Sequence, residues 1–181
     1  MNFKEKVLGI EPKYNGSIIN VEKQTVELPN GDTATRDVVH HAKAVGILAI
    51  TDDNKILIEK QWRAPIGKTI LEIPAGKVDS RDNTSSKDAA IRELNEETRY
   101  HAKNLSRISG FYSTVGFSDE YMDLYLATEL IPVDKELPRD KGEYLNISAY
   151  SLNEAEELIK SGKIEDAKTI MAILYWKLMQ K

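Results

Sequence analysis

The chain has 181 residues, with 25 Lys and Arg against 29 Asp and Glu for a formal net charge of −4; 41% of its residues are hydrophobic and 30% charged. That length suits one substantial core, and a pI near 5.5 lacks the basic excess of proteins that track a phosphate backbone, so general nucleic-acid binding is disfavoured while small phosphorylated ligands stay open. Cysteine is absent, which excludes disulfides, thiolate metal sites and cysteine nucleophiles.

His40, His41 and His101 are the only histidines, too few for a multi-histidine metal cluster. No apolar run approaches the ~20 residues that span a bilayer, and the start from Met1 to Lys6 has no apolar signal core behind it. A cytoplasmic protein without a membrane partner is expected.

From the N-terminus, Ile18 to Leu28 is rich in β-branched residues, Pro29-Asn30-Gly31-Asp32 is turn chemistry, and Thr33 to Val39 resumes the extended pattern, which predicts a β-hairpin. The polar stretch from Arg36 to Lys43 is the best candidate boundary. A second hairpin is predicted where Ala44 to Ile50 forms a buried run, Asp52-Asp53-Asn54 turns the chain, and Lys55 to Trp62 pairs back. Further strands are expected at Thr69 to Ile73, Leu105 to Tyr112, Tyr121 to Glu129 and Glu143 to Tyr150. A helix over Ser86 to Thr98 follows from its period. Ser151-Leu152-Asn153-Glu154 is a capping box for another helix that Gly162 stops, and a last helix from about Glu165 carries Ala167, Ile170, Met171, Leu174 and Leu178 at helical spacing.

The first of these helices carries the chemistry. With Glu93 at zero on a wheel of about 100° per residue, Glu97 falls at about 40° and Glu96 at about 300°, beside an apolar stripe of Ala90, Leu94 and Ile91. The acidic edge therefore borders the packed side and suits the wall of a cleft. Glu93 and Glu97 stand one helical turn apart, where like charges cost a few tenths of a kcal/mol, and a hard divalent cation such as Mg²⁺ would offset that repulsion. Arg92 can hold Glu96 by an ion pair. A Glu-rich face alone is usually solvated surface. Here the strand Leu71-Glu72-Ile73 ends in Pro74-Ala75-Gly76, where a Pro and a Gly allow a sharp turn and offer a main-chain carbonyl near the helix.

Gly76 followed by Arg92-Glu93-Leu94-Asn95-Glu96-Glu97-Thr98 and Tyr100 resembles the Nudix box of hydrolases that act on a nucleoside diphosphate linked to another group. Glu72 to Gly76, Thr114 to Glu120, and Asp166-Ala167-Lys168-Thr169 resemble the ADP-ribose pyrophosphatase subfamily, over a span from about Val21 to Gln180. The resemblance implies an α/β protein with the Nudix fold, an α/β/α sandwich around a mixed β-sheet with an N-terminal antiparallel β-hairpin extension. Residues 1–40 would be that extension and a dimerisation element, and 41–181 the hydrolase domain of a homodimer. It implies Mg²⁺ or Mn²⁺ as cofactor and a small-molecule nucleoside diphosphate derivative as substrate, ADP-ribose giving AMP and ribose 5-phosphate. Carried over by position, Glu93, Glu97 and the Ala75 main-chain oxygen are metal ligands, and Glu96 is a ligand or a water-positioning group. Arg36 and Arg63 are substrate contacts whose bland reading is a surface salt bridge, and Glu120 matches a substrate-binding acid near the metals or the terminal ribose whose bland reading is an edge-strand charge. Trp62 could stack on a base, although a core aromatic is the weightier reading.

Four positions depart from the family pattern. The first acid of the box is Asp82 counted six on from Gly76, but Thr84 counted eight back from Arg92, because the loop is two residues longer. The glycine after the acidic helix is Arg99, which costs on the order of 1–2 kcal/mol if the backbone there is left-handed. A His-Pro-Gly reads His41-Ala42-Lys43. The expected catalytic glutamate falls on Lys141, leaving Glu143, Asp140 or Glu136 as its substitute. These departures keep two alternatives open: another nucleoside diphosphate sugar or dinucleotide as substrate, and a weakly catalytic nucleotide-binding module.

Overall fold

The structure is a computed structural model that describes residues 2–83 and 85–180, so Met1 and Thr84 of the reading above lie outside the described residues. The described residues fall into two compact units, one formed by the chain up to Lys43 with Phe111–Met122, the other by Ala44–Gly110 with the residues from Asp123 on.

In the first unit, β1 (Lys6–Asn15), β2 (Ile19–Glu27) and β3 (Thr33–His41) form an antiparallel sheet in that order. The expected hairpin is β2 and β3, and β1 adds a strand that the pattern did not announce. The reason is visible in its residues: Lys6–Asn15 is exposed throughout, contains Gly9 and Pro12, and its register shifts between Val7 and Gly9 and between Pro12 and Tyr14. Such a strand is tolerated at an edge, where a missing N–H and a bulge do no harm. The tip of the later hairpin, between the end of β8 (Tyr100–Tyr112) and the start of β9 (Tyr121–Pro132), also belongs here, and Tyr112 meets Tyr121 edge to face at 4.9 Å.

The second unit holds two sheets and three α-helices. One sheet runs β7 (Ala75–Lys77), β4 (Ala44–Ala49), β9, β8; the other runs β10 (Leu145–Tyr150), β5 (Ile56–Arg63), β6 (Lys68–Glu72). The expected pairing of β4 with β5 is corrected here. The turn is real, with Thr51 and Lys55 closing it at 2.9 Å, but beyond the Ile50–Ile56 bridge the strands part into different sheets. Each is the inner strand of its own sheet, and both are buried over consecutive residues, the pattern of strands covered on two faces.

α1 (Ser86–Thr98) starts at Ser85, whose hydroxyl accepts from the Asp88 N–H, and packs Ala89, Ala90 and Leu94 against Val45, Ile47 and Ala49 of β4. Ile91, expected in that stripe, is instead 47% exposed. The helix is rotated so that Arg92, Glu93, Glu96 and Glu97 are buried in its place. α2 (Leu152–Lys160) carries the predicted reciprocal cap between Ser151 and Glu154. α3 (Ala167–Met179) is capped by Asp166 and also lies against β4, burying Ala172, Ile173 and Trp176. Thr169 of this helix accepts the buried Ile73 N–H at 2.8 Å, which pins the end of β6 just before the turn at Pro74. Among the described residues no helix is long and apolar enough to cross a membrane.

Candidate active site

The turn after β6 brings Gly76 against α1. A Cβ at position 76 would overlap the Glu93 carboxylate, so only glycine leaves room for that side chain, and β7 holds the turn in place by pairing Ala75 with Gly46 of β4. The Ala75 N–H donates to Glu97 Oε2 at 3.0 Å. Ala75, Glu93 and Glu97 are thus neighbours, as the box resemblance implied.

Arg92 is the hub of the next layer. Its guanidinium donates to Asp82 Oδ1 at 2.7 Å and Oδ2 at 2.9 Å, to Glu93 Oε1 at 2.7 Å, to Glu96 Oε2 at 2.8 Å and to the Lys77 carbonyl at 3.0 Å. The bidentate pairing with a buried carboxylate answers the register question: Asp82, counted forward from Gly76, is the acid that serves the box arginine. Asp82 also accepts from the Asp79 N–H at 3.0 Å, so the longer loop is tied to the helix through one carboxylate. The hydrogen bonds from the Arg92 guanidinium hold Asp82 below its ordinary range. Arg81 approaches the other oxygen of Glu96 at 3.5 Å.

Among the described residues, Glu59 and Glu97 have no such ion pair. Glu59 on β5 is fully buried and neither of its oxygens has a hydrogen-bond partner; the side-chain oxygen of Gln61 is likewise unpartnered. Glu72, opposite Glu59 across the β5–β6 ladder, takes Arg63 at 2.6 Å and Lys168 at 2.5 Å. Burial raises the Glu93 carboxyl to about 7, against the pull of Arg92 and with the charges of Glu96 and Glu143 adding to the rise. Burial also pushes Glu97 well up, followed by the charges of Glu59, Glu93 and Glu143. Glu59 rises to about 8, from burial first and then the charge of Glu72.

Of the expected residues, Arg63, Ala75, Glu93, Glu96, Glu97 and Glu143 lie in the second unit. Glu143 is partly buried and accepts a long 3.5 Å bond from Gln61 Nε2, whereas Lys141 is exposed. Arg36 and Glu120 lie in the first unit: Arg36 pairs with Glu5 and donates to the Thr35 carbonyl, and Glu120 accepts from Ser113 Oγ at 2.5 Å and lies 3.3 Å from His41. Trp62 is 59% exposed, so the core reading of it is overturned; it alternates with inward Gln61 on the outer face of β5. Arg99 adopts the left-handed conformation, φ 65° and ψ 25°, that the family glycine would supply.

Sequence reading missed Glu59, Gln61 and Arg139. An acid directly after Ile56-Leu57-Ile58 was the available signal for Glu59. Arg139 donates to the Glu96 carbonyl at 3.2 Å and the Glu97 carbonyl at 3.0 Å, capping the C-terminal end of α1, and nothing local in the sequence signals that contact.

The donors that could hold a metal are all oxygen: Glu93, Glu97 and the Ala75 carbonyl. That chemistry, with a buried carboxylate lacking any partner, fits a hard divalent cation. Among the described residues no three acidic or imidazole side chains stand together as a group that could hold a metal ion. A cation that keeps water and takes few protein carboxylates, as Mg²⁺ does, needs none.

The model of the NUDIX domain matches residues 40–173. The chain belongs to the Nudix family. This Nudix hydrolase is 39% identical to the ADP-ribose pyrophosphatase of Bacillus subtilis (strain 168), over 99% of this chain and 96% of that one. It is 36% identical to the methanol dehydrogenase activator of Bacillus methanolicus, over 98% and 95% of the two chains. With the ADP-ribose pyrophosphatase of Mycobacterium tuberculosis the identity is 30%, over 93% and 81%. A solved structure described as an ADP compounds hydrolase superposes with a TM-score of 0.83 at 22% identity, covering 94% of this chain and 91% of the other, which supports the α/β Nudix fold.

Proposed function

We propose that this Nudix hydrolase cleaves the diphosphate bond of ADP-ribose to AMP and ribose 5-phosphate with Mg²⁺ or Mn²⁺, acting in the cytoplasm. The observation that carries the reading is the buried, all-oxygen donor set of Glu93 and Glu97 seated against Gly76 and Ala75. Near full-length likeness to two ADP-ribose pyrophosphatases supports the substrate class.

Glu93, Glu97 and the Ala75 main-chain oxygen would hold the metal, whose chemistry is to neutralise phosphate charge and lower the pKa of bound water. Glu96, fixed by Arg92, positions the attacking water, and Glu143 accepts its proton in place of the glutamate that Lys141 replaces. The water oxygen bonds to one phosphorus, the bond from that phosphorus to the bridging oxygen breaks, and the bridging oxygen leaves with the electron pair on the other phosphate. Arg63 turns its planar fork to phosphate oxygens. Arg36 and Glu120 are substrate contacts on the family resemblance alone. Residues 1–40 form the dimerisation element of a homodimer, supported by Val7, Leu8, Ile10 and Tyr14 exposed along β1; residues 41–181 form the hydrolase domain. Light scattering at the monomer mass would overturn the dimer.

The test is product chromatography with ADP-ribose and a panel of nucleoside diphosphate derivatives, with and without metal. The reading expects metal-dependent AMP release, and a loss of ~10²–10³-fold in Glu97→Gln, the scale for removing one electrostatic stabiliser. Intact ADP-ribose beside a cleaved dinucleotide or other sugar derivative would overturn the substrate; oxygen-18 water locates the attacked phosphorus. Ligand binding without turnover would favour the weakly catalytic module, for which the exposed Lys141 is the motivating observation.

A further inference from the structure

Glu59 lies outside the Nudix box, on the inner face of β5, and it is a buried carboxylate that the chain leaves without compensation. Strand alternation puts Glu59 and Gln61 on the same face, and both are buried while Lys60 and Trp62 point out. All three unpartnered buried side-chain oxygens among the described residues belong to this pair. Its cross-strand neighbour Glu72 takes the two cations within reach, Arg63 and Lys168. A bare buried carboxylate opposite another acid is costly unless something neutralises it.

What lies beside Glu59 is the turn that holds the acidic helix: its register partner Glu72 is the last residue of β6, three before Ala75, whose N–H donates to Glu97. Gln61 reaches Glu143 with its amide nitrogen, which leaves its unpaired oxygen on the same inner face. We propose that Glu59, with the side-chain oxygen of Gln61 beside it, is a further divalent-cation ligand position, supplied by β5 beside the turn that carries Ala75. This deepens, and rests on, the metal-dependent reading of the site. A strand thereby adds donors to a set that the box draws only from a helix and a turn, in a chain whose expected loop glutamate is Lys141.

The experiment is calorimetry with MnCl₂ alone, and thermal melting with and without Mn²⁺, on the full chain and on Glu59→Gln, Glu59→Val and Glu97→Gln. Losing a ligand costs on the order of tenfold or more in metal affinity. Both Glu59 variants should therefore bind Mn²⁺ at least about tenfold more weakly and lose much of the metal-induced rise in Tm, which follows mass action. Without metal they should melt at or above the parent chain, since an unpaired buried charge is gone, so weaker binding is separated from misfolding. If Glu97→Gln loses Mn²⁺ while both Glu59 variants bind it as the parent does, Glu59 is a protonated bystander: this inference falls and the functional reading stands. If the parent binds no Mn²⁺, or Glu97→Gln binds it unchanged, the metal reading itself falls and takes this inference with it.

Discussion

Two groups of buried acids in the second unit receive opposite treatment. Around Arg92, the carboxylates of Asp82, Glu93 and Glu96 share one guanidinium at 2.7–2.9 Å. Among the described residues Glu59 and Glu97 form no ion pair; Arg63 and Lys168 are engaged by Glu72 instead. The first group is complete as folded and fixes geometry. The second has no ion pair among the described residues, and the proposed cation would supply one. The same unit thus builds both arrangements, and the second lies where the proposed reaction needs a cation.

The largest expected effect tests the complete group. Arg92→Ala leaves Asp82 buried beside an empty space, and breaking a buried pair by removing one partner costs about 3–5 kcal/mol. Urea unfolding of the variant should show a loss of that size. Adding Asp82→Asn should restore part of it, because the orphaned charge goes with its partner. A double variant whose loss equals the sum of the two single ones would show that the pairing does not hold the loop to the helix.

The open group makes a smaller, signed prediction without metal. Burial raises the native carboxyls of both Glu59 and Glu97, that of Glu59 to about 8. The native state thus keeps protons that the unfolded chain releases, so the stability these groups allow at low pH is lost as pH rises through their native values. Glu59→Gln removes one such titration. Its Tm should match the parent near pH 5 and exceed it by pH 8, by on the order of a few degrees. Saturating Mn²⁺ should reverse that advantage. A pH-independent difference would mean that Glu59 keeps its proton throughout.

The same contrast marks what the residues disclosed in advance. Helix α1, its cap, the Arg92–Glu96 pair and the meeting of Glu93 with Gly76 were legible because each depends on short spacing: a helical turn, a glycine after a strand, an acid within reach of an arginine. The capping box at Ser151 was legible for the same reason. The sheet partners of β4 and β5 were not, because a tight turn encodes a reversal of the chain and not which sheet each strand joins. Ile91 and Trp62 face outward against their hydrophobicity because the carboxylates that satisfy Arg92 and the inward face of β5 bury Arg92 and Gln61 in their place. Glu59 was passed over since its meaning lies across strands, in Glu72 having already taken the nearby cations.

The smallest expected effect concerns Arg99, where a local cost and a tertiary gain oppose each other. Its left-handed backbone is strained by on the order of 1–2 kcal/mol relative to glycine. Its side chain donates to the Leu137 carbonyl at 2.5 Å and pairs with Glu136 at 3.2 Å, and Asn95 binds the same segment through the Lys135 carbonyl and the Leu137 N–H. Together with Arg139 on the last carbonyls of α1, these contacts staple residues 133–139 to the helix, just before Glu143. Arg99→Gly relieves the strain and removes contacts each worth about 0.5–1.5 kcal/mol, so global stability should change by less than about 1 kcal/mol. The segment, however, should exchange its amide hydrogens faster and be cut more readily by protease. If the variant gains stability and the segment stays equally protected, Arg99 is strain without compensation, and the position of Glu143 owes nothing to it.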